Sequence, residues 1–258
     1  METRHDAPVR VTSYNMLGSS CSSELSIYEQ QAGGYPHNAW GTRRPLAQST
    51  LQRLDSDVFL LQEVNDQMLH GIRTGNPHMD GYEFQCSHGN RGNIECAIGY
   101  KTSVFRLERR IEYKFRALTL VLARKGGPSL SITSCHLKAG EDYHNDVIRE
   151  RQARTIAQTT RATDCACHIV GGDLNSDRRL QAYYGRSPQA LRELEAEGFS
   201  SNGDHTCTFY GWDRLKFDYI YFKGVNIAVP HTANWLSEAG PNEREASDHT
   251  ALSASFTL

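Results

Sequence analysis

Six acids and imidazoles stand where apolar runs of this chain begin or stop. Glu63 closes "FLLQEV", His136 follows "SITSC", Asp173 ends "HIVGGD", Asp218 opens "DYIYF", and Asp248 and His249 precede "TALSASF". Asn15 ends "VRVTSYN", and Asn175 lies two residues beyond Asp173. Taken singly, each has an ordinary reading as turn chemistry or a solvated strand end. Taken together they describe a site. If these ends converge, Glu63, Asp173, Asp218 and Asp248 bring four carboxylates into one cleft. Their mutual repulsion would drive their pKa values up, and a hard divalent cation relieves it. Mg²⁺ takes oxygen ligands, keeps several waters, and is held by one or two carboxylates together with substrate phosphate. Asn15 and Asn175 add neutral amide groups. His136 and His249 suit proton transfer or phosphate contact better than ligation in so oxygen-rich a set. The composition points to metal-assisted phosphoryl chemistry.

The elements that must position these residues are mostly short strands. Runs rich in Val, Ile, Thr, Tyr and Phe predict strands over 9–15, 56–64, 94–101, 103–114, 116–124, 130–137, 165–173, 205–210, 217–224 and 250–256. Three segments read as helices. Residues 43–57 place Leu46, Leu51 and Leu54 near one face, and 143–162 carry Ile148 and Ile156 at helical spacing. The third, 187–198, begins Ser-Pro and ends in Gly, as an N-cap, first helical position and C′ residue would. Many strands with few helices suggest two packed sheets with helices outside. In such a layered fold the strand ends along one edge converge, and binding residues sit there.

Composition narrows the classes. The chain has 258 residues, 22% charged and 38% hydrophobic, with no repeat or linker that divides it. We expect one globular domain over 1–258, with 1–8 a flexible N-terminus. No apolar run approaches the about 20 residues that span a bilayer, and the polar N-terminus lacks the apolar core of a signal peptide. The expectation is a cytoplasmic monomer without a transmembrane segment. Seven Cys at irregular spacings offer no zinc-ligand pattern and read as reduced thiols. Lys plus Arg number 28 against 30 Asp plus Glu, unlike a protein whose affinity rests on many phosphate contacts.

The pieces "SYNMLG", "LLQEV", "IECAIGYK", "SCHLKAG", "GGDLNS", "FDYIYF" and "SDHTAL" run from residue 9 to 256. In this order the chain resembles the endonuclease/exonuclease/phosphatase superfamily, with its DNase I-like fold. The resemblance implies an α/β four-layer sandwich: two mixed β-sheets face to face, flanked by helices, with the site at one end. It implies Glu63 as the main metal ligand, with Asn15 and Asp248 close by, and Mg²⁺ or Mn²⁺ as the cofactor. Asp173 and Asn175 would orient the attacking water and the scissile phosphate. His249 would pair with Asp218, and His136 would contact the phosphate and the leaving oxygen. Glu95, in "NIECAIGYK", matches a position that buttresses His136 in some members. Arg116 matches a phosphate-contacting arginine, with Arg91, Arg109 and Arg110 as competitors.

The implied activity is metal-dependent hydrolysis of a phosphoester by in-line attack of water. A nuclease-type phosphodiesterase stands first. A phosphatase acting on a small phosphorylated metabolite or nucleotide is the alternative, ahead of a sphingomyelinase-like enzyme or a non-catalytic binding module. The partner is accordingly a phosphoester, either nucleic acid or a small phosphorylated molecule. For a polymer, Tyr35, Trp40, Arg43, Arg44 and Trp212 would supply groove and stacking contacts; Trp40 and Trp212 read equally well as packing residues.

Overall fold

The computed structural model describes residues 7–18, 39–88, 94–140, 142–180, 188–201, 207–209, 215–232, 241–242 and 244–258. Along the chain run β1 (Val9–Asn15), α1 (Trp40–Leu54), β2 (Val58–Val64), α2 (Asp66–Arg73), β3 (Tyr82–Cys86), β4 (Glu95–Lys101), β5 (Phe105–Glu112), β6 (Ala117–Arg124) and β7 (Ser129–His136). There follow α3 (Tyr143–Arg161), β8 (Cys167–Asp173), α4 (Gln189–Ala196), β9 (Ser200–Ser201), β10 (Asp218–Lys223), β11 (Asn226–Thr232) and β12 (Leu252–Thr257).

The strands form two six-stranded sheets, ordered β11-β12-β1-β2-β4-β3 and β5-β6-β7-β8-β10-β9. Each sheet is mixed in the same way. Its two central strands are parallel, β1 with β2 in the first and β7 with β8 in the second, and the other neighbours run antiparallel. Parallel neighbours need a crossover, and α1 and α3 lie in those two connections. A parallel pair also ends both of its strands at one edge, which is where the polar residues of the sequence fall.

Three apolar clusters hold the layers. Between the sheets, Val11, Val58, Leu60 and Ile98 meet Leu120, Leu130, Ile132 and Ile169. Phe59 and Leu61, alternating with Leu60 along β2, point the other way and pack with Leu51 of α1 and Met68 and Ile72 of α2. Val170 and Tyr221 likewise pack outward against Ile156 of α3 and Leu191 and Leu194 of α4. Burial on both faces explains why β2 and β8 read as continuous apolar runs. The four layers are therefore helix, sheet, sheet, helix, as expected. Toward the strand ends the space between the sheets turns polar. Ser13 Oγ donates to Gln62 Oε1 at 3.4 Å, and Gln62 Nε2 donates to Ser134 Oγ at 3.1 Å across the two sheets.

Several elements differ from expectation. The structure adds α2, β3, β9 and β11 to those the sequence predicts. β3 and β11 are the two edges of the first sheet, and the Pro230 of β11 counts against a strand everywhere but at such an edge. The short α2 starts on the Asn65 side chain, which accepts from the Met68 amide at 2.8 Å. Of the strand expected over 205–210, residues 207–209 carry only a bridge between Phe209 and His249, and the remainder lies outside the described residues. Pro188 stands at the N-cap of α4 rather than one place inside it. Six thiols, Cys86, Cys96, Cys135, Cys165, Cys167 and Cys207, are free. No helix among the described residues is long and apolar enough to cross a membrane.

Candidate active site

Strand register brings the predicted residues together. In the second sheet His136 at the end of β7 pairs with Asp173 at the end of β8, and Asp173 pairs in turn with Asp218 at the start of β10. In the first sheet Asn15 ends β1 beside Gln62. Glu63 follows on a β-bulge: Leu61 pairs with Ala97 and Val64 with Glu95, leaving Gln62 and Glu63 opposite a single residue. Glu63 itself has φ 56°. A side chain in this left-handed conformation costs energy and leaves the regular alternation of the strand, and here the Glu63 carboxylate turns toward the second sheet.

Asn15 joins the two sheets. Its Nδ2 donates to Glu63 Oε1 and to Asp173 Oδ2, each at 3.0 Å, while its Oδ1 accepts from the Leu17 amide at 3.0 Å. With its oxygen committed to Leu17, Asn15 faces the carboxylates with nitrogen. It clamps two acids rather than offering the ligand oxygen expected of it. The Gly18 amide donates to the other Glu63 oxygen at 2.9 Å. On the far side, Asp218 Oδ2 lies 2.7 Å from His249 Nδ1. An ionised Asp218 makes Nδ1 the donor and leaves His249 Nε2 turned to the cleft, 3.8 Å from Asp173 Oδ2. His136 Nε2 lies 3.7 Å from the same oxygen and 3.9 Å from Glu63 Oε1. These three separations exceed a hydrogen bond; the groups face a shared space.

The electrostatics follow from burial. Burial pushes the Glu63 carboxyl up, but His136, the Gly18 amide, Asn15 and His249 outweigh it and hold it at about 2. Asp173 is raised, chiefly by burial and also by Asp218, against the pull of both imidazoles. Asp248 is raised too, by burial and then by Glu63 and Asp173, with His249 opposing. Burial disfavours charge on His249, yet Asp218, Asp248 and Asp173 raise its pKa well above 6.5. Glu63, His136 and Asp173 each present a ligand atom, all within 4.8 Å of one another. Two carboxylates on that triangle, with buried acids whose ionisation is opposed, match the donor set and the charge deficit that a divalent cation fills.

The remaining predicted residues differ in their placement. Asn175, at φ 47°, donates its backbone amide to Asp173 Oδ1 at 2.8 Å and its Nδ2 to the Leu137 carbonyl at 3.1 Å. Glu95 does not buttress His136. It accepts from Ser87 Oγ at 2.6 Å, and His136 Nδ1 has no hydrogen-bond partner among the described residues. Arg116 reaches the histidine through its backbone, whose carbonyl accepts from the His136 amide at 2.8 Å. Its competitor Arg110 ties β5 to β3 through Gln85 and the Cys86 carbonyl, and Arg91 lies outside the described residues. Trp40 packs against the α1–α2 cluster, and Arg43 is completely buried, so neither lines a groove. Arg44 is exposed, and Tyr35 and Trp212 lie outside the described residues.

Sequence reading missed the supports. Ser247 Oγ donates to the Asn15 carbonyl at 2.7 Å, seating the Asp248–His249 turn on the end of β1. Thr208 Oγ1 accepts from the amides of Phe217 and Asp218, each at 3.0 Å. Beside His249 stands an apolar wall: the Phe209 ring lies 5.0 Å from the imidazole and 5.3 Å from Phe217, which packs with Leu180 and Leu215. Single hydroxyls and a lone Phe carry no periodic signal.

Acids and imidazoles gathered at one edge of two packed mixed sheets, with one acid–imidazole pair and two carboxylates clamped by one amide, define a phosphoester hydrolase site. The chain belongs to the Endonuclease/Exonuclease/phosphatase family, whose sequence profile matches residues 12–249. It is 21% identical over 266 residues to the 5'-tyrosyl-DNA phosphodiesterase of Caenorhabditis briggsae, across 91% of this chain and 69% of that protein. Its fold is similar to that of ANGEL2, a 2',3'-cyclic phosphatase, with a TM-score of 0.74, 19% identity, and coverage of 99% of this chain and 96% of that one. It is also similar to the mannosyl-6-phosphatase Bt3783 of Bacteroides thetaiotaomicron, with a TM-score of 0.69, 16% identity, and coverage of 97% and 100%.

Proposed function

We propose that the chain hydrolyses a phosphodiester of nuclease type by in-line attack of water, with Mg²⁺ or Mn²⁺ held on the Glu63 side of the cleft. The observation that carries this reading is the convergence of His249 and His136 on Asp173 from opposite sides, at 3.8 and 3.7 Å. Glu63 would hold the cation with Asp248 nearby; when bound it neutralises charge on the phosphoryl oxygens. Asp173, the carboxylate that both imidazoles face, takes the proton of the attacking water. Asn175 fixes the orientation of Asp173 through its amide. His249, kept protonated by Asp218, donates to a non-bridging oxygen, and His136 faces the departing oxygen across the cleft. Phe209, half-buried beside His249 and backed by Phe217, would offer an apolar ring to the group carried by the phosphate.

A phosphomonoesterase is the second reading, favoured by the balance of 28 basic against 30 acidic residues. A panel of plasmid DNA, single-stranded DNA and RNA, nucleotides and sugar phosphates, each with Mg²⁺, separates the two. The expected result is cleavage of a polymer or dinucleotide that is abolished by EDTA. Phosphate release from monoesters with every diester left intact would reverse the order, and undiminished activity in excess EDTA would overturn the metal reading.

A further inference from the structure

Among the largest fully buried side chains of the described residues is a cation, Arg43, in the first turn of α1. Its Nη1 donates to the carbonyls of Met16 and Ala246, each at 2.8 Å, and its Nη2 donates to that of Leu17 at 2.6 Å. The guanidinium also lies 5.6 Å from the Trp40 ring centroid. What matters is where the acceptors stand. Met16 and Leu17 directly follow Asn15, Leu17 is itself left-handed at φ 55°, and the next amide, of Gly18, holds Glu63. Ala246 directly precedes Ser247 and Asp248, and Ser247 is bonded to the Asn15 carbonyl. One planar fork thus stitches together the two stretches of irregular backbone that carry Asn15 and Asp248 and that fix Glu63. A lysine has the charge but cannot span three carbonyls with fixed geometry. An apolar residue of equal volume avoids the desolvation cost of a buried charge but leaves those carbonyls unpaired.

We infer that Arg43 is a positioning residue of the cation site, acting through backbone geometry rather than through its charge. The inference rests on the cation site proposed above. The two possible roles differ in sign. Seen from the cleft, the Arg43 charge opposes a bound cation, so removing charge alone would tighten binding. Loss of the stitch would instead loosen it, by roughly the 10–100-fold found when groups that orient metal ligands are removed.

The experiment is titration of Mn²⁺ into the wild type, Arg43→Met and Arg43→Lys, followed by calorimetry and by the paramagnetic resonance of free Mn²⁺, at a temperature where circular dichroism shows each protein folded. Leu130→Ala, in the inter-sheet core near the opposite end of β7, controls for lost stability. Both Arg43 variants are expected to bind Mn²⁺ at least tenfold more weakly, and Leu130→Ala to bind it as the wild type does. Where the Met variant does not fold, the Lys variant decides alone. Wild-type affinity in Arg43→Lys, tighter binding in Arg43→Met, or equal weakening in Leu130→Ala overturns the inference. Absence of saturable binding to the wild type overturns the cation site itself, and this inference with it.

Discussion

At the scale of single residues, Asp173 Oδ2 is the point on which the site turns. It accepts from Asn15 at 3.0 Å, and the Nε2 atoms of both imidazoles face it at 3.7 and 3.8 Å. The Asp218–His249 pair supplies the proton chemistry on one side, and its effect has a testable pH sign. The folded-state pKa of His249 is raised well above 6.5. Its contribution to stability is therefore fully present below about pH 6.5 and is lost as pH rises through the higher folded value. Asp218→Asn should lower turnover by on the order of 10²–10⁴-fold, the range for a displaced acid–base group. In the metal-free protein, the urea-unfolding stability gap between wild type and Asp218→Asn should be wide at pH 6 and narrow at high pH. A gap that does not change with pH would contradict the assigned pairing.

At the scale of elements, the site exists because each sheet has a parallel pair at its centre, ending at one edge. The glycine pair before Asp173 makes this possible. Gly172 has φ +153°, and a Cβ there would meet the Cys135 carbonyl oxygen at 1.8 Å. Gly172→Ala should destabilise by more than about 2 kcal/mol, through backbone strain and the parting of β7 from β8. A thermal melt checks this, and an unchanged midpoint would show that the two strands separate freely. The predicted site was legible to the extent that strand ends are legible. Glu63, His136, Asp173 and Asp218 each close or open an apolar run that burial on both faces makes conspicuous. What the sequence hid was geometry within those ends. Nothing in "QEV" shows that Glu63 sits on a bulge, nor in "SYN" that Asn15 spends its oxygen on Leu17. Arg43 reads as a groove contact in "GTRRP" and is buried, because its fork finds three carbonyls that only the tertiary fold assembles. The edge strands β3 and β11 escaped for the opposite reason: half-exposed or Pro-bearing, they lack the apolar pattern of the centre.

At the scale of the whole molecule, the two sheets act as jaws, with Asn15 and Gln62 as the polar links between them. The first sheet contributes Asn15 and the low-pKa Glu63, and the second contributes His136, the high-pKa Asp173 and Asp218. Neither sheet holds a complete site, so chemistry should depend on both at once and on the carboxylate that faces both imidazoles. The most direct test is the Mg²⁺-dependent release of p-nitrophenol from bis(p-nitrophenyl) phosphate by the wild type, Glu63→Gln and Asp173→Asn, with an EDTA control. The account predicts release by the wild type that EDTA abolishes, and a loss on the order of 10²-fold or more in each variant. Full wild-type rates in Asp173→Asn, or wild-type rates that survive EDTA, would contradict it.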